Sequence, residues 1–312
     1  MAISIPFRRS RALTGAVGLD VDSGFVAVAQ LDGRRMVQGA SAALEPDVVG
    51  EGEVRDVERL SASLKELFKG RALPTKVRLG VANQQIVVRQ FDMPKIEDPE
   101  QLRAAVRFQA ADALPMPVDE AVLDHQVVGT FTNPEGSERL QVVVVAAREA
   151  MVRSLVAAAR GAGLKPEAID LGAFALVRAL AGEDADAEKA RVFCHLAGVA
   201  NMAVALGSVC VFTRTVPVPE GYDGVDAASL AEQIRPSIDF YMSQPDARWV
   251  GDVVLSGPRS GQEELAEQVS EALALPVSVA EPLPGLDVEG LSDGEDPHRY
   301  TVASGLAMGG VA

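Results

Sequence analysis

Cysteine is nearly absent: Cys194 and Cys210 are the two in 312 residues. They cannot build a disulfide scaffold, and a reducing compartment is the simplest setting for them. Histidine is almost as scarce, with three residues, and His195 has no second His, Cys or carboxylate at metal-ligating spacing. Positive charge is also in deficit, since 29 Lys and Arg stand against 44 Asp and Glu, a net −15. A surface of that sign does not track phosphates, so nucleic acid is not an expected partner. The segment Ile5-Pro6-Phe7-Arg8-Arg9-Ser10-Arg11 is basic but lacks the apolar run of a signal peptide, and the expectation is a cytoplasmic protein. Three arginines give only weak attachment to anionic lipid, which leaves a frayed terminus as the simpler reading. No Ser/His/Asp or Cys/His set appears with a supporting motif.

What is present is apolar. Hydrophobic residues make up 48 %, enough for a substantial core, and the length suits about two domains. Between Arg191 and Arg214 there is no charge at all, long enough for a membrane span by length alone. Gly198 and Gly207 divide it, however, into three short strands separated by turn residues, as in a buried sheet. Cys194 and Cys210 then fall on different strands as buried free thiols.

The same unit occurs earlier. Val17 to Gly24 is a short apolar strand with a small-residue turn, followed by an alternating run, Phe25 to Leu31, and a second turn at Asp32-Gly33. The segment from Val192 through Gly207-Ser208 follows the same plan, and the second turn begins 12 residues after Asp20 and 12 after His195. Two copies about 175 positions apart suggest a duplicated, two-lobed fold, set against coincidence between ordinary hairpins. The predicted division is residues 1–76 as the first lobe, 77–165 as an inserted α+β subdomain, and 166–312 as a shortened second lobe.

Periodicity and capping place the other elements. Val57 to Phe68 reads as an amphipathic helix with Leu60, Leu64, Leu67 and Phe68 on one stripe. Strands are expected at 77–81, 86–91, 121–128 and 140–147, and helices at 98–114 and 149–162. Asp98, Pro99 and Gln101 form a helix start, Leu114-Pro115-Met116-Pro117 a stop, and Gly163 a C-terminal cap. In the second lobe a helix spans about 229–241 across Pro236, and a strand runs over 250–255. Ser260 and Glu263 read as a capping box for the next helix, and Tyr300 to Met308 as a short small-residue helix.

Gly18-Leu19-Asp20-Val21-Asp22-Ser23-Gly24 resembles a phosphate loop of the actin, Hsp70 and sugar-kinase superfamily. More narrowly the chain resembles the PilM family of type IV pilus assembly, over nearly its whole length. The most specific stretch is Val106-Arg107-Phe108-Gln109-Ala110-Ala111-Asp112-Ala113-Leu114-Pro115-Met116-Pro117, then Glu120 to Val127. Ala162 to Pro166 with Ile169-Asp170, Phe212-Thr213-Arg214, Val254 to Gly257 and Ser304 to Ala307 follow in order. The resemblance implies an α/β fold of the actin-like (RNase H-like) kind with an inserted subdomain. It also implies a cytoplasmic adaptor recruited to the inner membrane by the tail of a PilN-like protein, working with other pilus components, with ATP usually held between the lobes.

The departures from that pattern concern the nucleotide. The glycine position of the first loop holds Asp22, and the usual lysine falls at Ala27. In the second loop His195 replaces an Asp, Ala197 replaces a Gly, and Gly198 is displaced by one. The adenosine loop reads Gly257-Pro258, and only Pro217 to Ala228 stands where the family has a long helical segment contacting the nucleoside. A vestigial cleft is therefore expected at Asp20, Asp22, Ser23, Gly24, His195, Gly198, Ser256, Gly257 and Gly305, with no catalytic residue, no metal and no cofactor. Asp20 reads either as the orienter of a metal-bound water or as a turn former, and His195 as a hydrogen-bonded core residue. Asp124-His125 reads as an exposed face or a partner contact. The alternative is an active ATP-binding protein with Mg, of the pilus or cell-division type. For the tail the resemblance implies a groove between the first lobe and the insertion, near Arg89, Leu114, Pro115 and Met116. There an extended loop either frames the groove or packs on its own subdomain.

Overall fold

The computed structural model describes residues 17–182, 187–222, 224–244 and 247–309. The basic residues Arg8, Arg9 and Arg11 lie outside them.

The first lobe grows from a meander. β1 (Val17–Val21), β2 (Phe25–Asp32) and β3 (Arg35–Ala43) pair antiparallel in sequence, and the Asp32-Gly33 turn falls where the sequence placed it. After the small ladder of β4 (Val49–Gly50) and β5 (Glu53–Val54) comes α1 (Val57–Phe68). Asp56 caps it by accepting from the Arg59 N–H at 2.9 Å. Leu60, Leu64 and Leu67 are buried on its inner stripe, each contributing about 2 kcal/mol of apolar burial. β6 (Lys76–Val81) and β10 (Lys165–Leu171) then add in parallel, giving the six-stranded order β10-β6-β1-β2-β3-β18, where β18 is the short Asp287–Val288.

The span 77–165, expected as one insertion, is thus divided. β6 is an interior strand of the first sheet, and α3 (Glu149–Gly161) packs on α1, with Val152 and Leu155 in the first-lobe core. What forms a sheet of its own is β7 (Val87–Pro94), β8 (Ala121–Thr132) and β9 (Glu138–Arg148), in the order β7-β9-β8, with α2 (Pro99–Ala113) on it. The reason is burial on both faces. The Val142, Val144 and Leu140 side of β9 takes α2, while Val143 and Val145 join the first-lobe core.

The second lobe repeats the meander with β11 (Ala190–Leu196), β12 (Val199–Leu206) and β13 (Val209–Pro217). The uncharged stretch is therefore a buried sheet, and among the described residues no helix is long and apolar enough to cross a membrane. A hairpin of β14 (Glu220–Gly221) and β15 (Gly224–Val225) leads to α5 (Ala227–Met242), which runs through Pro236. β16 (Val250–Ser256), α6 (Leu265–Leu273) and β17 (Val277–Val279) complete the order β13-β12-β11-β16-β17. The expected Ser260–Glu263 capping box does not form. Ser260 Oγ instead donates to the Gly257 carbonyl at 2.8 Å, tightening the turn, and α6 starts only at Leu265.

Two helices join the lobes: α4 (Gly172–Leu180) and α7 (Thr301–Met308) pack on each other, α4 reaching β12 and α7 lying on β1 and β2. Their approach is close enough to require glycine. A Cβ on Gly18 would sit 1.9 Å from the Ala303 carbonyl oxygen, and one on Gly305 would sit 1.9 Å from the Ala175 oxygen. Arg178 and Arg78 finish α7 by donating to the carbonyls of Gly305 (3.0 Å) and Leu306 (3.1 Å), where cations suit the negative end of the helix.

Candidate functional site

Hairpin turns bring most of the expected cleft residues together. Asp20 is near the end of β1, and Asp22, Ser23 and Gly24 form the turn into β2, facing Ala197 and Gly198 of the equivalent turn in the second lobe. The two turns are unequal. Val21 pairs with Val26 across four intervening residues, whereas Leu196 pairs with Ala200 across three. The shorter turn leaves room for a side chain from the longer one, and Asp22 occupies it. Asp22 Oδ1 accepts the N–H of Gly24 at 3.1 Å and that of Gly198 at 2.8 Å.

Burial raises the Asp22 carboxyl above the ordinary range while those backbone bonds pull it down. Asp20 is pushed up to about 8, by the protein packed around it and then by the charge of Asp22. Asp20 is itself only half-buried. The two carboxyls are close enough for the charge of Asp22 to oppose ionisation of Asp20.

On the second-lobe side His195 is 3 % exposed, and its Nδ1 lies 3.1 Å from Ser256 Oγ. The hydrogen-bonded core reading of this residue is what the geometry supports, although Nε2 has no partner among the described residues. Burial, and then the neighbouring charge of His298, lowers its pKa to about 4, so the ring is neutral. The thiols of Cys194 and Cys210 are buried and pushed up to about 12, which removes them as nucleophiles. No group of three or more His, Cys, Asp or Glu able to hold a metal occurs among the described residues.

Gly257 adopts φ +92 beneath the second turn, where a Cβ would meet the Leu196 oxygen at 2.5 Å. Arg259, two residues on, donates its N–H to that oxygen and forks its guanidinium onto Glu220 at 2.7 and 2.6 Å. Gln262 pairs with Val225 through both amide atoms, accepting at 2.7 Å and donating at 3.1 Å. The short 217–228 connection is thereby folded down onto the loop after β16. These clasping residues gave no sequence signal, because each pairs with a partner far along the chain. Gly305 does not belong with the cleft. It is buried between α7 and α4, and its position is set by packing.

The inserted subdomain presents a different surface. Leu102, Val106 and Ala110 of α2 face its sheet, but Phe108 is 80 % exposed. With Phe91, Met93, Ile96, Ala105 and Ala113 it lines an open apolar groove of about 570 Å³ between α2 and edge strand β7, with Asp112 at its rim. The signal for Phe108 was available in the sequence: a large aromatic out of phase with the Leu102-Val106-Ala110 stripe.

The residues expected to grip a partner tail lie about the start of β7, where Leu114 and Met116 pack with Val87, two residues before Arg89. Met116 is 8 % exposed and packs with Val87, Ala146 and Leu114, so it is a core contact of its own subdomain. Leu114 is half-buried beside it and Pro115 exposed. Arg89 reaches across to the second lobe, its guanidinium 5.7 Å from the centre of the Phe240 ring. Asp124 and His125 are half-buried on β8.

The fold is shared with several solved structures. A PilM–PilN type IV pilus biogenesis complex superposes with TM-score 0.80 at 22 % identity, covering 96 % of this chain and 99 % of that one. The cytoplasmic domain of EpsL, an inner-membrane component of the Vibrio cholerae type II secretion system, gives 0.52 at 12 % identity, covering 95 % and 94 %. A protein of actin-like ATPase fold from Bacteroides thetaiotaomicron gives 0.50 at 8 % identity, covering 95 % and 96 %. The duplicated actin-like architecture is thus established, and the model of the type IV pilus assembly protein PilM matches residues 18–216, well over half of the sequence. The chain belongs to the PilM family of type IV pilus assembly proteins.

Proposed function

We propose that the protein is a non-enzymatic adaptor of a type IV pilus machine. It docks the cytoplasmic tail of a PilN-like membrane protein on its inserted subdomain, with no bound nucleotide, and is held at the inner face of the cytoplasmic membrane through that partner. The observation that carries the reading is the open apolar groove beside Phe108. It is an apolar concavity on the inserted subdomain, and it suits an extended apolar segment. The PilN of the similar solved complex supplies the class of partner. Against nucleotide stands Asp22, whose charge lies where a triphosphate would approach. Two anions about 4 Å apart cost roughly 4 kcal/mol at an effective dielectric of 20, or about three decades in affinity.

The test is a titration of the full chain with the tail peptide of its PilN-like protein, with and without Mg-ATP. Saturable binding that ignores ATP is expected. Phe108→Asp should weaken it at least about tenfold with the melting temperature unchanged, because so exposed a side chain contributes little to the fold. Absence of binding at high micromolar peptide ends the adaptor reading. A melting shift of several degrees with Mg-ATP alone ends the nucleotide-free part and revives the ATPase alternative.

A further inference from the structure

Asp22 is a buried acid, 8 % exposed, with no cation as partner in its hydrogen bonds. What it has is backbone. Its carboxylate accepts the amide of Gly24 in its own turn and that of Gly198 in the opposite lobe, and the neighbouring Ser23 and Val199 amides favour its charge in the same sense. Backbone N–H groups converging from two turns make a nest for an anion, and bonds of this charge-assisted kind are roughly twice as strong as neutral ones. The fit is tight: a Cβ on Gly198 would lie 2.4 Å from Asp22 Oδ1 and 2.8 Å from Ser23 Cβ. The second-lobe turn is pressed directly onto the carboxylate.

We infer that Asp22 is a built-in anion: its carboxylate fills an oxyanion cradle between the two hairpin turns and fastens the lobes together, and the emptied cradle binds a small oxyanion such as inorganic phosphate. The inference deepens the nucleotide-free reading and rests on it, since a cradle filled from within needs no ligand to hold the lobes closed. The residue that repels an incoming triphosphate is thus the one that replaces it.

Amide hydrogen exchange on the full chain reads the latch directly. In the unmodified protein the Gly198 and Gly24 amides should exchange slowly, and Asp22→Ala should speed both at least about tenfold. Asp22→Ala should also melt lower, and recover by several degrees in about 10 mM inorganic phosphate, while the unmodified protein does not respond. Unprotected Gly198 in the unmodified protein, or unchanged exchange in Asp22→Ala, overturns the latch. An equal phosphate response in both proteins, or none in Asp22→Ala, overturns the cradle. If Asp22→Ala fails to fold, Asp22→Asn decides, because it keeps an acceptor without the charge: faster Gly198 exchange supports the latch and an unchanged rate overturns it. Failure of the nucleotide-free reading looks different. Mg-ATP would then stabilise the unmodified protein, whatever the exchange at Gly198 in its absence.

Discussion

The cleft and the groove are made from different kinds of residue and have opposite fates. Around the cleft most polar groups pair, although Ser23 Oγ and His195 Nε2 have no partner among the described residues: Asp22 takes the opposing turn, and within the second lobe Ser256 takes His195, Arg259 takes Glu220, and Gln262 takes Val225. On the insertion, apolar side chains converge and are left uncovered, with Phe108 standing almost fully in water. A polar site that has paired internally has little left to offer a ligand, whereas exposed apolar surface gains from any cover. Under the proposed function, recognition lies on the insertion and the duplicated body is its mount.

The largest expected effect separates a floor residue from a cleft residue. If Gly305 lined the cleft, Gly305→Val would block a ligand and leave the fold intact. Its Cβ instead meets the Ala175 backbone at 1.9 Å, and backbone cannot step aside cheaply. We expect a loss of roughly 4 kcal/mol or more, about 10 °C in melting temperature. Met116→Asp makes the same point within the insertion. Burying an unpaired carboxylate against Val87 and Ala146 should cost about 2–5 kcal/mol, in contrast to Phe108→Asp eight residues earlier. Thermal denaturation of the three variants checks both, and an unperturbed Met116→Asp would restore the tail-framing role once expected of that loop.

Next in size is a pH dependence that belongs to the cleft alone. Asp20 has its carboxyl raised to about 8 in the folded protein, against 3.8 for the free side chain. The folded state therefore holds a proton that the unfolded state releases. Its contribution is complete below pH 4 and is lost as pH rises toward 8, at no more than about 1.4 kcal/mol per pH unit. Asp20→Asn should remove that slope while leaving the groove and its peptide affinity unchanged. Chemical denaturation of both proteins between pH 5 and 8 (roughly the window in which the linkage acts) would show parallel curves if Asp20 were ionised throughout.

Legibility followed the range of the interactions. The two meanders, α1 and the Asp98 cap of α2 are written in local periodicity and turn chemistry, and the structure reproduces them. The boundary of the insertion was not legible, because β6 reads as an ordinary strand and only its parallel pairing with β1 and β10 assigns it to the first lobe. Gly305 misled for a related reason. In sequence, a glycine excused by a tight helix crossing is indistinguishable from one that admits a phosphate. Asp22 was visible as a misfit in its loop, but its partner Gly198 is 176 residues away, so its bond required the fold.

The smallest expected effect asks whether the cleft is closed or merely gated. Arg259 clasps Glu220 in two short bonds, and the fork raises the guanidinium pKa and lowers that of Glu220. Yet Glu220 is largely solvent-exposed, and a pair of this kind is worth below about 1 kcal/mol and is screened by salt. Gln262 holds the same hairpin through the Val225 backbone, so the connection has a second fastening that does not depend on charge. Arg259→Ala should therefore lower the melting temperature by only about 1–3 °C, less in high salt, and should confer no response to Mg-ATP. If this one substitution did give a nucleotide-dependent shift, the clasp would be a gate over a working site. The contrast between a closed cleft and an open groove would then have to be redrawn around Arg259.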